Sequence, residues 1–210
     1  MTMAAAGRGR FITFEGGEGT GKSTQCRRLA DWLRGEGVSV VTTREPGGTP
    51  AAEAIRALLL DGDSDHLDAM SEALLHFAAR REHVRTVITP ALAEGSWVLC
   101  DRFSDSTMAY QGLGMGLGRP VVESLHRLAV GALMPDLTLV LDLAVSKSLP
   151  RARSQGGDDR YESRDTAFHE ALRQAFLDIA AREPERCVVI DASGDEEAVA
   201  DAIRGCVQDD

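Results

Sequence analysis

The chain has 210 residues, 43% of them hydrophobic and 27% charged, which is enough to bury a full core at about the size of one domain. A formal net charge of -10 argues against a general basic surface for gripping nucleic acid, so any phosphate binding must be local. No apolar run approaches membrane-spanning length, no apolar block follows the arginines of residues 1–10, and the four cysteines lack metal-ligand spacing, which together point to a cytoplasmic, unexported protein with reduced thiols.

The first predicted strand, residues 11–14, runs into Gly16, Gly17, Glu18, Gly19, Thr20, Gly21, Lys22 and Ser23, and a predicted helix over 22–34 carries on through Thr24. These residues fit GxxxxGK[ST] at every fixed position, between a strand and a helix as the chemistry requires. The glycines let backbone N–H groups turn around phosphate oxygens, Lys22 reaches the terminal phosphates of ATP, and Ser23 offers its hydroxyl to Mg²⁺. Only Lys22 and Lys147 are lysines among 23 basic residues, so a lysine kept at this point suits the compact charge that phosphate binding uses.

A second strand is predicted over 38–42, followed by Thr43, Arg44, Glu45, Pro46, Gly47, Gly48 and Thr49, and then by a helix over 50–60. Between 67 and 92 the residues Leu67, Met70, Leu74, Phe77, Val84, Ile88 and Ala91 recur at helical spacings and are expected to be core. The third strand, 97–100, ends in Asp101 and Arg102, a carboxylate and a guanidinium at the sheet edge where doubly wound folds bind ligands. Residues 111–119 read as a loop, 120–133 as a helix, 137–143 as a fourth strand, 166–182 as a helix, 187–190 as a fifth strand and 196–206 as a last helix. Uninterrupted apolar strands alternating with helices predict a doubly wound α/β fold with a parallel sheet. Arg151, Arg153 and Arg160 bracket a glycine-containing stretch within 148–164 that reads as a lid, the usual device for bringing positive charge onto a migrating phosphoryl group.

Taken in order, the P-loop with its internal Glu18, the Thr-Arg-Glu-Pro-Gly-Gly-Thr run, and Asp101-Arg102-Phe103 followed by Ser106, Tyr110 and Gln111 resemble the thymidylate kinase family over about residues 11–190. That resemblance implies a P-loop nucleoside monophosphate kinase fold with five parallel strands and a short lid. It also implies transfer of the γ-phosphoryl group of MgATP to dTMP, giving dTDP for dTTP synthesis, by a homodimer. It implies that Glu18 contacts the sugar 3′-hydroxyl, that Arg44 and Arg102 hold the acceptor phosphate, and that Asp101 lies near phosphate and metal. Tyr110 would crowd the 2′ position, Thr107 and Gln111 would lie near the base, and the Glu45–Pro46 bond would be cis. With no arginine in the P-loop, the family pattern assigns catalytic charge to the lid, to Arg153 and Arg160 first and Arg151 next.

One position departs from the family pattern, in which a Phe stands four residues before the Arg that contacts thymine. Counting from Arg80 gives His76, on the helix face shared with residues 80 and 83; counting from Arg81 gives Phe77. Both registers stay open at this point. A rebuilt base site would favour a kinase of the same fold with another nucleotide or nucleoside as acceptor. A non-catalytic nucleotide-binding subunit is the reading from a different class, and intact Lys22, Ser23, Asp101 and lid arginines oppose it.

Overall fold

Strand β1 (Phe11–Glu15) is buried at every position because helices cover both of its faces. In the computed structural model, which describes residues 9–60, 67–154, 161 and 164–209, it is the central strand of a five-stranded parallel sheet ordered β2-β3-β1-β4-β5. The other strands are β2 (Val40–Arg44), β3 (Trp97–Asp101), β4 (Leu137–Asp142) and β5 (Cys187–Asp191). In chain order the helices are α1 (Lys22–Gly35), α2 (Pro50–Leu60), α3 (Ala69–His83), α4 (Thr89–Ala93), α5 (Ser104–Thr107), α6 (Arg119–Ala129), α7 (Val145–Ser154), α8 (Thr166–Arg182) and α9 (Glu196–Asp209). The fold is the doubly wound α/β class that the uninterrupted apolar runs predict.

Alternation along β1 sorts the core into two layers. Ile12 and Phe14 pack with Leu29 and Leu33 of α1 and with Val199 and Ile203 of α9. Phe11 points the other way, into a cluster with Phe77 of α3, Phe103, and Phe176 of α8. Thr13 and Glu15 share that second face, where Thr13 Oγ1 meets Thr138 Oγ1 at 2.9 Å. A charged Glu15 is thereby carried under the carboxyl end of the sheet.

Two elements differ from expectation. β2 begins at Val40 rather than Val38, because the Val38 N–H is used to close α1, donating to the Leu33 carbonyl at 3.0 Å just after Gly37 turns with φ 82°. The apolar stripe from 67 to 92 is also not all core: Met70 and Leu74 are exposed. On α3 the buried face instead carries Glu72, Arg80 and His83 beside Ala73 and Phe77, so polar residues occupy positions that an apolar count passes over. A π-helical segment, Val84–Ile88, then realigns the chain so that Val84, Ile88 and Ala91 are buried. A second such segment, Met108–Gly114, replaces the first part of the predicted 111–119 loop.

Candidate active site

Phosphate binding at the turn from β1 to α1 depends on backbone that only glycine adopts freely. Gly16 has φ 131° and Gly19 φ 69°, and a Cβ at either would lie 2.5 Å from the Leu141 carbonyl oxygen or 2.1 Å from that of Ser148. At the start of α1, Gly21 offers no side-chain cap, which leaves the first N–H groups of the helix for an anion. Thr20 braces the loop by donating to the Gly17 carbonyl at 3.0 Å, Lys22 donates to that same carbonyl at 2.6 Å, and Thr24 lies half-buried in the first turn of α1. Ser23 donates through Oγ to Asp101 Oδ2 at the end of β3. A hydroxyl and a carboxylate brought together beside the phosphate cradle are the hard oxygen donors that Mg²⁺ takes alongside phosphate oxygens and water. Among the described residues no group of three or more His, Cys, Asp or Glu forms a separate metal cluster.

Arg102 follows in the left-handed region at φ 70°, a conformation unusual for a non-glycine residue. Its guanidinium donates to the Gly16 carbonyl at 3.2 Å, Ser106 Oγ at 2.9 Å, Glu18 Oε1 at 2.8 Å and the Tyr110 hydroxyl at 3.1 Å. Tyr110 in turn donates to Glu18 Oε1 at 2.6 Å. Burial opposes the Glu18 charge, yet Arg102 and Lys22 beside it pull its carboxyl down to about 2. Burial also opposes the Arg102 charge, but Glu18 and its other neighbours raise its pKa above the ordinary value. For Lys22, burial and then Arg102 lower the ammonium to about 8. Beneath them Glu15 accepts from Phe103 N at 2.8 Å and Ser106 Oγ at 2.6 Å, and burial together with Asp105 pushes it up to about 7. Ser106 therefore bridges a buried acid to Arg102.

A cavity opens beside this cluster, lined among others by Glu18, His76, Arg80, Arg102, Tyr110 and Gln111. Arg80 is 2% exposed and held by Glu45, its Nε donating to Oε2 at 2.6 Å, while Nη2 donates to the Phe103 carbonyl at 3.0 Å and to Thr107 Oγ1 at 3.1 Å. Its Nη1 is buried without a partner among the described residues. His83 donates through Nδ1 to the same Glu45 at 2.9 Å. The Glu45–Pro46 bond is cis.

His76 and Phe77 point in different directions from α3. His76 lines the cavity, half-buried. Phe77 turns away into the core, its ring under the Arg80 guanidinium at 4.8 Å and edge-on to His126 at 6.2 Å, and it is not among the lining residues; its inclusion with the ligand-facing side chains is corrected accordingly. Arg81 lies on the exposed side of α3. Arg44 is not in the cavity either: its Nη2 pairs with Glu53 at 3.0 Å, and it borders a neighbouring cleft with Ser23 and Asp101. Arg151 and Arg153 are exposed in the last turns of α7, and Arg160 lies outside the described residues.

Several site residues are not apparent from the sequence. Glu15, Glu45 and Glu72 are buried acids, against the usual exposure of carboxylates. A signal was present for two of them: Glu15 closes an otherwise uninterrupted buried strand, and Glu45 stands in the loop at the carboxyl edge. Arg56 and Tyr161 also line the cavity, and neither carries a motif.

The comparisons with known proteins agree with this geometry. A family model described as thymidylate kinase matches residues 14–203. The chain is 55% identical over 206 residues to a thymidylate kinase of Bradyrhizobium sp. (strain ORS 278), covering 97% of this chain and 91% of that one. It is 54% identical over 200 residues to a thymidylate kinase of Caulobacter vibrioides, covering 95% and 96%. The crystal structure of thymidylate kinase from Ehrlichia chaffeensis superposes with a TM-score of 0.77 at 36% identity, over 96% of this chain and 99% of the other. With the match running from β1 into α9 and through every element that builds the cavity, the chain belongs to the thymidylate kinase family.

Proposed function

We propose that the chain transfers the γ-phosphoryl group of ATP to the phosphate of dTMP, producing dTDP and ADP. One observation carries this reading: a cavity lined by polar and aromatic side chains opens directly beside the P-loop, and Arg102 touches both, bonded to the Gly16 carbonyl and to Glu18. Lys22 and the free N–H groups of α1 hold the triphosphate of ATP. Ser23 and Asp101 would hold Mg²⁺, which when bound screens phosphate charge and orients the oxygens. Arg102 meets the acceptor phosphate, and Arg44 approaches from the neighbouring cleft.

Glu18, kept ionised by Arg102 and Lys22, accepts from a sugar hydroxyl, and Tyr110 crowds the carbon beside it. Arg80, His76, Thr107 and Gln111 surround the base. An oxygen of the dTMP phosphate attacks the γ-phosphorus in line, and no protein nucleophile takes part. Arg153 and Arg160 first, and Arg151 next, would supply positive charge to the transferring group.

Turnover measured with dTMP, dUMP, dCMP, dGMP and AMP tests the acceptor. dTMP is expected to give the highest kcat/KM, and any other acceptor ahead of it sinks the assignment.

A homodimer is the assembly we infer. Helices α2 and α3 pack on one another and α6 packs on α3, yet they leave Leu58, Met70, Leu74 and Leu128 exposed, apolar surface that a second copy would cover. No described helix is long and apolar enough to cross a membrane. Cys26, Cys100 and Cys187 are buried free thiols, which accords with a cytoplasmic setting.

A further inference from the structure

Glu72, in the first turn of α3, is fully buried, and nothing in the phosphate chemistry uses it. Its Oε2 accepts from Gln111 Nε2 at 3.0 Å and from the Tyr161 hydroxyl at 3.1 Å. Gln111 Nε2 also lies 3.3 Å from the Tyr161 hydroxyl, as donor. Three separate parts of the chain meet here: α3, the π-helical segment Met108–Gly114, and Tyr161 at the edge of the lid. Gln111 and Tyr161 line the acceptor cavity, whereas Glu72 is not among the lining residues and stands behind them.

The chemistry of these groups fixes a direction. A carboxylate only accepts hydrogen bonds, so Glu72 holds Gln111 by its amide nitrogen and leaves the amide oxygen as the polar atom for the cavity. Arg80 contributes the opposite character, since a guanidinium only donates and its buried Nη1 is unpartnered. Among the polar groups that line the cavity, which include His76, Thr107 and Tyr161, Gln111 therefore offers an acceptor and Arg80 a donor. A pyrimidine with a ring N–H next to a carbonyl complements both. An aminopyrimidine, with an acceptor ring nitrogen next to an exocyclic amino group, meets an acceptor with a donor missing and a donor with an acceptor missing.

We propose that Glu72 is a specificity-determining positioning residue: by anchoring the Gln111 amide, it makes the site select thymine and uracil bases against cytosine-type bases. The inference rests on the reading of this cavity as the base site. A purely structural role would lower activity on every acceptor alike, so the informative quantity is the ratio of kcat/KM for dTMP to that for 5-methyl-dCMP, which differ only at the edge in question.

In Glu72→Gln the anchor has the same shape but can donate as well as accept, which frees the Gln111 amide to turn, and the ratio is expected to fall by about tenfold or more. Glu72→Leu removes the anchor without leaving a buried charge and is expected to give the same fall, which covers poor folding of the first variant. Gln111→Ala removes the reading group itself and should lower the ratio as well. An unchanged ratio in the Glu72 variants with a fall in Gln111→Ala overturns the role of Glu72 and leaves the base site standing. An unchanged ratio in all three overturns both.

Discussion

Arg102→Lys is expected to lower kcat/KM for dTMP by roughly a thousandfold, although the charge is kept. One guanidinium donates to four groups, the Gly16 carbonyl, Ser106, Glu18 and Tyr110, and a single ammonium on a flexible stem cannot hold that arrangement. The positive φ at this position persists because those bonds fix the side chain. Losing them weakens the hold on Glu18 and removes the group that, in the proposed function, would hold the acceptor phosphate. Steady-state kinetics against dTMP at saturating ATP measure the effect. A variant within about threefold of the parent would remove Arg102 from the acceptor site.

Lys22→Ala is expected to cost a comparable factor, about a thousandfold in kcat/KM for ATP, because the P-loop has no other cation to face the terminal phosphates. The parent enzyme carries a pH signature of the same residue. Burial and Arg102 lower the Lys22 ammonium to about 8, and the protonated form is the one that binds phosphate. kcat/KM for ATP, which reports the free enzyme, is therefore full below about pH 8 and falls as pH rises through it. In kcat the decline moves to higher pH, because phosphates bound beside the lysine favour its charge. A kcat/KM profile flat between pH 6 and pH 10 would contradict the assignment.

How much of this was legible in the sequence depends on the kind of signal each residue carries. Gly16 to Ser23 stood out because the motif demands particular residue types at every fixed position, and the burial of β1 throughout and of β4 as far as Leu141 matches their largely apolar runs. β2 starts two residues later than the apolar run predicts, since Val38 is apolar for a different reason: it finishes α1 and packs beside it. Met70 and Leu74 fit a helical period yet face outward, because the inner face of α3 carries Glu72, Arg80 and His83.

Those buried polar residues are where sequence reasoning fails most. Glu45 and Arg80 are 35 positions apart and pair at 2.6 Å, and only the fold shows that each satisfies the other. The choice between His76 and Phe77 was open for a related reason. Both spacings are helical, and the direction of each side chain follows from which neighbour, cavity or core, occupies the space beside it.

The most direct test of the account is a crystal structure with dTMP and a non-hydrolysable ATP analogue bound. The account predicts the thymine ring in the cavity against Arg80, His76 and Gln111, the sugar hydroxyl on Glu18, and the dTMP phosphate between Arg102 and the P-loop. A thymine ring seated outside that cavity, or a dTMP phosphate out of reach of Arg102, would contradict it.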